Sequence, residues 1–350
     1  MVSAKWKRKA NPIGVDIGSR SVKLLQFDAA RSRVVAASRW DLPPEPDDPD
    51  ERDRQIVEAL NRGRENRGFK GRNAVFCLGA GSLFVQNIRV AQSSEAEMES
   101  VVRSEAVGRL PFSGDEAEIR YLDAADVRQG DAIRHEVILL ACHRPAIDRL
   151  VSIANEAQLR PVAIDVEPAA LLRCYSKQFR RDADSERQVM FVNIGAANTA
   201  VVIARGFDAM FIKYLDVGGN QLDESVARHL KMSRADAAAL RRHNGDRRAE
   251  QRDPDVTRSI AEAIRPVLDS LVSELSLCLR YFSVTFRGQP PSQAIFGGGE
   301  ANPSLVEWVQ ARLDVPCEVG DPLRIYEKTL SAGRLGQWDV AAGLALKDVN

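Results

Sequence analysis

Apolar residues enter this chain first as short runs broken by glycine- and hydroxyl-rich turns, and only later as helical stripes. Gly14-Val15-Asp16-Ile17 leads into Gly18-Ser19-Arg20-Ser21, and Val22-Lys23-Leu24-Leu25-Gln26-Phe27 leaves it. That alternation predicts a strand, a tight turn and a second strand. The pattern returns in Phe191-Val192-Asn193-Ile194, then Gly195-Ala196-Ala197-Asn198-Thr199, then Ala200-Val201-Val202-Ile203. Asp16 aligns with Asn193, Ile17 with Ile194 and Gly18 with Gly195, each pair 177 positions apart (193 − 16). A third apolar run follows each copy, Val34-Val35-Ala36 in the first and Ala209-Met210-Phe211-Ile212 in the second. Internal repetition of this kind predicts two similar α/β halves.

Between and after the copies the period changes. A helix is expected over 55–66, behind an acidic, proline-rich loop at 43–54 (PPEPDDPDERDR). Ala74–Leu78 and Leu83–Ile88 read as paired strands around a Gly-Ala-Gly-Ser turn. Ser94 and Glu97 then make a capping box for a helix whose apolar face carries Met98, Val101, Val102, Ala106 and Leu110, with Pro111 at its end. A strand over 136–142, a helix over 147–157 and a strand over 162–166 complete this insert. Helices are expected over 220–230 and 235–242, then a polar, arginine-rich hinge over 241–255. A long helix over 256–286 shows Ile260, Ile264, Val267, Leu268, Leu271, Leu275 and Leu279 at helical spacing.

The repeated turns carry the candidate chemistry. A strand–turn–strand of this composition can aim successive backbone N–H groups and hydroxyls at phosphate oxygens. Asp16 stands where it can hold magnesium through water. Taken singly, either turn is equally an ordinary hairpin. A third element adds weight: Ala294-Ile295-Phe296 runs into Gly297-Gly298-Gly299, then Asn302 and Pro303 open a helix with Leu305, Trp308, Val309 and Leu313 on one face. Three glycines let a backbone approach a planar or anionic ligand.

With these elements in this order, the chain resembles the actin/chaperone/sugar-kinase superfamily, and within it the PilM family of actin-like type IV pilus assembly proteins, on the FtsA-like branch. The first hairpin is similar to that family's Asp-Ile-Gly-Ser-x-Ser-x-Lys motif at Asp16, Ile17, Gly18, Ser19, Ser21 and Lys23. Met98–Phe112 resembles its helix ending in Pro-Phe, and Glu156–Pro168 its "AGL-x-P-x-x-ID-x-EP" connector. Asp216–Leu222 resembles its Gly-Gly-Asn-Gln-Leu segment, and Ala341–Leu346 its closing helix. The match runs from about residue 12 to 348.

The resemblance implies an actin-like ATPase fold of two duplicated α/β halves with inserted subdomains 1C and 2B. Its expected divisions are a basic arm at 1–11, subdomain 1A at 12–90, 1C at 91–165, a return to 1A at 166–186 and 2A at 187–222. Subdomain 2B is expected at 223–286, 2A with the adenosine loop at 287–335, and a C-terminal helix on 1A at 336–350. ATP with Mg2+ is the implied ligand. Gly18, Ser19, Arg20, Ser21 and Lys23 would serve it from one side, and Asn193, Gly195, Ala196, Asn198, Thr199 and Gly219 from the other. Gly297, Gly298 and Gly299 would lie behind the adenosine, and Asp16 would be the metal-holding carboxylate. The implied partner is the N-terminal cytoplasmic tail of a PilN-like bitopic membrane protein, gripped between subdomains 1A and 1C. Other assembly-platform components and homo-oligomers are further partners that the resemblance allows.

Two departures bear on turnover. Asn193 replaces the aspartate of hydrolysing relatives, and Ala238, Ala239, Leu240 and Arg241 replace an adenine-contacting Glu-x-x-Lys pair. These predict nucleotide binding with weak or absent hydrolysis. The rival readings are an ATPase or small-molecule kinase, for which Asp165 is the nominated base, and an FtsA-like filament protein.

Composition narrows the setting. A length of 350 residues allows two domains. With 49 basic and 49 acidic residues there is no global charge to attract nucleic acid. The five cysteines (Cys77, Cys142, Cys174, Cys278 and Cys317) are scattered, none in a Cys-x-x-Cys pair, and read as reduced residues of a cytoplasmic protein. The four histidines lack metal-ligand spacing. No apolar run approaches the ~20 residues of a membrane span, so attachment to the inner membrane is expected through a partner. Lys5, Lys7, Arg8 and Lys9 read as a solvated arm, with an anionic lipid surface as the alternative.

Overall fold

The computed structural model describes residues 10–129, 131–179, 186–247, 249–286, 290–327 and 334–349. The basic arm through Lys9 lies outside them. Two five-stranded sheets dominate the molecule, and their topologies are copies of each other.

In the first sheet the order is β3 (Val34–Asp41), β2 (Ser21–Phe27), β1 (Ile13–Ile17), β4 (Asn73–Leu78) and β8 (Arg160–Val166). In the second it is β11 (Asp208–Leu215), β10 (Thr199–Arg205), β9 (Gln188–Ile194), β12 (Gln293–Gly297) and β13 (Cys317–Val319). Each begins as an antiparallel meander of three strands and continues with two parallel strands. The 177-residue offset read from sequence is therefore a duplication of the whole sheet, with β1 and β9 in corresponding central places.

A smaller antiparallel sheet has the order β5 (Phe84–Ala91), β7 (Ala132–His143) and β6 (Ala117–Gln129). Here the sequence reading of 72–90 as one strand pair fails. β4 pairs with β1 and β8, whereas β5 crosses to β7. A 3-10 turn at Ala80–Ser82 makes that step. The sheet packs Ile88, Val90, Ile119, Val137 and Leu139 against Met98, Val102 and Ala106 of α2 (Glu95–Val107). The Glu97 carboxylate accepts from the Ser94 amide (3.3 Å) and hydroxyl (2.8 Å), so the capping box forms.

Helix α1 (Pro49–Arg64) starts earlier than expected, because Asp48 caps it through the Asp50 amide and Pro49 suits its first turn. Half of the stretch read as an acidic loop is thus a helix start whose Asp50 and Glu51 complement the helix dipole. Helix α3 (Arg144–Glu156) covers the first sheet beside α1. In the second half, α5 (Gly219–Leu230), α6 (Arg234–Asp246) and α7 (Pro254–Phe286) pack together around Val226, Ala237 and Ile260. Helix α8 (Pro303–Gln310) leaves the glycine loop with Asn302 as its cap.

The central contact is between α4 (Glu167–Ser176) and the C-terminal α9 (Asp339–Ala345). Gly343 lets α9 lie on the backbone of Ala170, and Gly14 lets β1 lie on the backbone of α9 at Ala341 and Ala345. A Cβ at either glycine would run into a neighbouring backbone atom. This close layer joins the two sheets through one apolar cluster that includes Phe191, Val202, Leu171, Tyr175 and Leu344.

Candidate functional site

The β1–β2 register sets Asp16 opposite Lys23, so their side chains share one face of the sheet. Lys23 Nζ donates to Asp16 Oδ2 at 2.7 Å. The strand lysine is therefore tied to the candidate metal carboxylate, neither solvated nor extended beyond it. The turn closes by Gly18 N donating to Ser21 O (3.0 Å). It is braced from behind by the Arg52 guanidinium on Ser19 O and by Leu42 N on Arg20 O (2.9 Å). Arg52, nearly fully buried on α1, is a supporting residue that the loop reading of 43–54 had hidden.

The second turn repeats the first: Gly195 N donates to Asn198 O (2.9 Å). Its carbonyls face the start of α5, where Gly195 O accepts from Gly219 N (3.0 Å) and Ala196 O from Asn220 N (2.7 Å). The fully buried Thr199 hydroxyl donates to Val217 O at 2.6 Å. Thr199 thus fixes the turn to the link before α5. Asn193 is buried at the end of β9, beside Gly297 of β12 in register.

The glycine loop follows directly from that pairing, and its residues have different tasks. Gly298 sits at φ +88°, and its amide donates to Gly336 O (2.8 Å) and Asp339 Oδ2 (3.1 Å). A side chain there would meet Ile194 O and Asn193 Oδ1. Gly297 makes room for the Asp339 carboxylate. Only Gly299 of the three looks into open space. The sequence reading gave all three to a ligand; Gly297 and Gly298 have packing tasks besides.

Behind the first hairpin lie two acids that sequence reasoning passed over, Asp339 buried and Glu167 half-buried. Asp339 opens α9 and Glu167 opens α4; besides the Gly298 amide on Asp339 Oδ2, each accepts a further bond that fixes it. Asp339 Oδ1 takes Val340 N at 2.8 Å, and Glu167 Oε2 takes the Tyr214 hydroxyl at 3.3 Å. Burial pushes the Glu167 pKa up to about 8, with Asp16 and Asp339 adding to the rise. Burial likewise pushes Asp339 up to about 7. The available signal was positional, because Glu167 is the next-to-last residue of the Glu156–Pro168 connector and Asp339 lies two residues before the Ala341–Leu346 segment.

Asp165, the carboxylate nominated as a kinase base, is occupied elsewhere. Its Oδ2 accepts from Arg173 Nη2 (2.8 Å) and lies 3.3 Å from Lys347 Nζ, and its Oδ1 accepts from Val166 N (2.9 Å). Two cations and a backbone amide engage it, so it serves the β8–α4 junction.

Arg20 leaves the first turn and reaches into the second half. Its Nη2 donates to Asn220 Oδ1 and Asp223 Oδ2 (both 2.5 Å) on α5, and its Nη1 to Glu300 Oε1 (3.2 Å) beyond the glycine loop. Arg241 of α6 holds the same two acids, Asp223 at 2.7 Å and Glu300 at 2.6 Å. Burial pushes the Glu300 carboxyl up, but Arg241 and then Arg20 more than reverse it, so its pKa is lowered. Glu300 also covers the Cα of Gly219, so Gly219 meets this carboxylate. Arg241 was visible in the sequence only as a departure from a motif.

The arrangement is two equivalent hairpins, one on each repeated sheet, with a glycine loop beside the second. That combination defines the actin-like ATPase fold. A model of the family described as type IV pilus assembly protein PilM matches residues 14–349, and the chain belongs to that family. A solved PilM–PilN type IV pilus biogenesis complex contains a chain similar to this one at 24% identity and TM-score 0.78, covering 96% of this chain and 98% of that one. The ethanolamine utilization protein EutJ from Carboxydothermus hydrogenoformans is similar at 14% identity and TM-score 0.59, covering 97% and 90%. A ROK family glucokinase from Streptomyces griseus, solved with glucose and AMPPNP, matches at 13% identity and TM-score 0.50, covering 96% and 98%.

Proposed function

We propose that this chain is an ATP-binding scaffold of a type IV pilus assembly platform, and that it grips the N-terminal cytoplasmic tail of a PilN-like membrane protein. The observation that carries the reading is the pair of identically closed turns, Gly18 N to Ser21 O and Gly195 N to Asn198 O, on sheets of identical topology. Family membership supplies the pilus setting. A family relative solved with PilN supports the partner, and a fold relative solved with AMPPNP supports the nucleotide.

The residues fit such a ligand. Ser19 and Ser21 of the first turn and Ala196 and Asn198 of the second would meet its phosphates, with Gly299 open beside them. Asp16 keeps an oxygen for a metal-bound water, since Lys23 takes Oδ2 and no described residue bonds Oδ1. Bound Mg2+ would neutralise phosphate charge. Asp16, through its ion pair, also holds the Lys23 ammonium at the same place.

The site is suited to holding a nucleotide, and poorly suited to cleaving it. Asn193 has no charge to contribute to a metal shell, and loss of such an outer contact typically weakens metal affinity or activity by about ten- to a hundredfold. Burial raises the Glu167 pKa to about 8, which favours its protonated form in the ligand-free protein and makes it a poor base toward water. Ligand contacts that differ between open and closed cleft would bias the closed state, and through it the groove that receives the tail. Among the described residues no helix is long and apolar enough to cross a membrane; the PilN-like partner would recruit the chain to the inner membrane.

A synthetic peptide of the cytoplasmic tail of the PilN-like protein from the same genome tests the partner. Calorimetry should show saturable binding, tighter with ATP and Mg2+ present. Absence of binding both with and without nucleotide would remove the scaffold reading.

A further inference from the structure

Four charged residues make a closed ion network that spans the two halves, and it takes up Arg20, which the nucleotide reading had given to the ligand. Arg20 is the only member from the first half. Asp223 on α5, Arg241 on α6 and Glu300 after β12 come from three separate elements of the second. Both carboxylates are almost fully buried, and each accepts from both arginines. Asn220 adds a neutral acceptor for Arg20. Arg334 donates to Gly299 O (3.3 Å), one residue before Glu300.

The charges are arranged so that the second half is complete without Arg20. Arg241 alone bonds Asp223 and Glu300, and Glu300 lies over Gly219 at the positive start of α5. Arg20 contributes a second guanidinium to acids already paired within their own half. Its backbone, however, belongs to the very turn of the first hairpin, where Gly18 N closes on Ser21 O. Each bond of its guanidinium therefore acts between halves. Such charge-assisted bonds strengthen away from water.

We propose that Arg20, Asp223, Arg241 and Glu300 form a clasp that holds the first hairpin against α5 and the glycine loop independently of any ligand. The clasp sets how often the two halves part, and hence how readily anything enters or leaves between them. Asp223 and Glu300 offer Arg20 the anionic partners that a phosphate would otherwise provide. Ligand entry thus competes with an internal contact and does not begin from a freely open cleft. This goes beyond nucleotide binding, because it holds whichever ligand the cleft accepts.

Amide hydrogen exchange on the nucleotide-free protein tests it. Arg20→Ala should raise exchange at least tenfold both in peptides covering 15–23 and in those covering 296–304. Peptides covering β10 and α9 should stay unchanged. Glu300→Gln should shift the same two regions in the same direction. Since Arg241 still pairs both acids, Arg20→Ala should keep wild-type far-UV circular dichroism. Unchanged exchange in both regions would overturn the clasp. So would a rise confined to 15–23, because it would make Arg20 a local support of its own turn.

Discussion

Glu167 and Asp339 are the residues at which this fold bears a visible electrostatic cost. Glu167 is half-buried and Asp339 fully buried, both with Asp16 nearby, and their pKa values rise to about 8 and about 7. In an unfolded chain such carboxyls titrate near 4. Between about pH 4 and 8 the folded state therefore binds more protons than the unfolded state, and stability must fall as pH rises. The favourable contribution is complete below the unfolded values and is lost as pH passes through the folded ones. The ligand-free protein should thus melt at a lower temperature at pH 8 than at pH 5.5. Glu167→Gln, which cannot ionise, should flatten that decline. Equal slopes for the variant and the parent, read by scanning fluorimetry across this range, would contradict the assignment. These acids were not legible as a pair, because one opens α4, the other opens α9, and 171 residues (339 − 167) lie between them. Asp16 and Lys23 were legible as site residues, but their ion pair follows from strand register, which only the folded sheet shows.

Elements were legible where local chemistry marks their ends, and misplaced where a long-range partner decides. Asn302 and Pro303 announced α8, and Asn302 Oδ1 accepts from Leu305 N at 3.1 Å as a cap should. Asn302→Ala should cost about 1 kcal/mol, read as a lower urea midpoint with unchanged slope. No shift would mean that the cap adds nothing beyond α8 packing. Helix α1 was placed too late because its acidic start looked solvated, although Asp48-Pro49 is itself a start signal. Helix α6 runs on to Asp246, through residues read as a hinge, because Arg241 on its inner face has two buried carboxylates to meet. Strand β6 escaped the sequence reading altogether, and β5 was paired with its neighbour in sequence. Both depend on β7, the central strand of a sheet that exists only once all three are present. β7 also supplies the buried Glu136, which accepts from Arg89 (2.9 Å) and from the Tyr281 hydroxyl of α7 (3.1 Å). This small sheet is thereby fastened to the second half, a relation that no local pattern encodes.

At the scale of the whole molecule the duplication was the most legible feature, because one offset relates the hairpins and the same sheet order follows from each. The layer between the sheets was not legible. Gly14 and Gly343 read as a strand and a helix glycine in sequence, yet each marks a backbone contact of α9, with β1 and α4 respectively. Through that layer and the small sheet, movement of one half relative to the other would reach distant surfaces, which is what a nucleotide-set scaffold requires. The most direct measurement is calorimetric titration of the full chain with ATP and Mg2+. One molecule should bind per chain, and Asp16→Ala should weaken the binding by at least tenfold. Absence of binding heat together with an unshifted melting temperature in the parent protein would contradict the account.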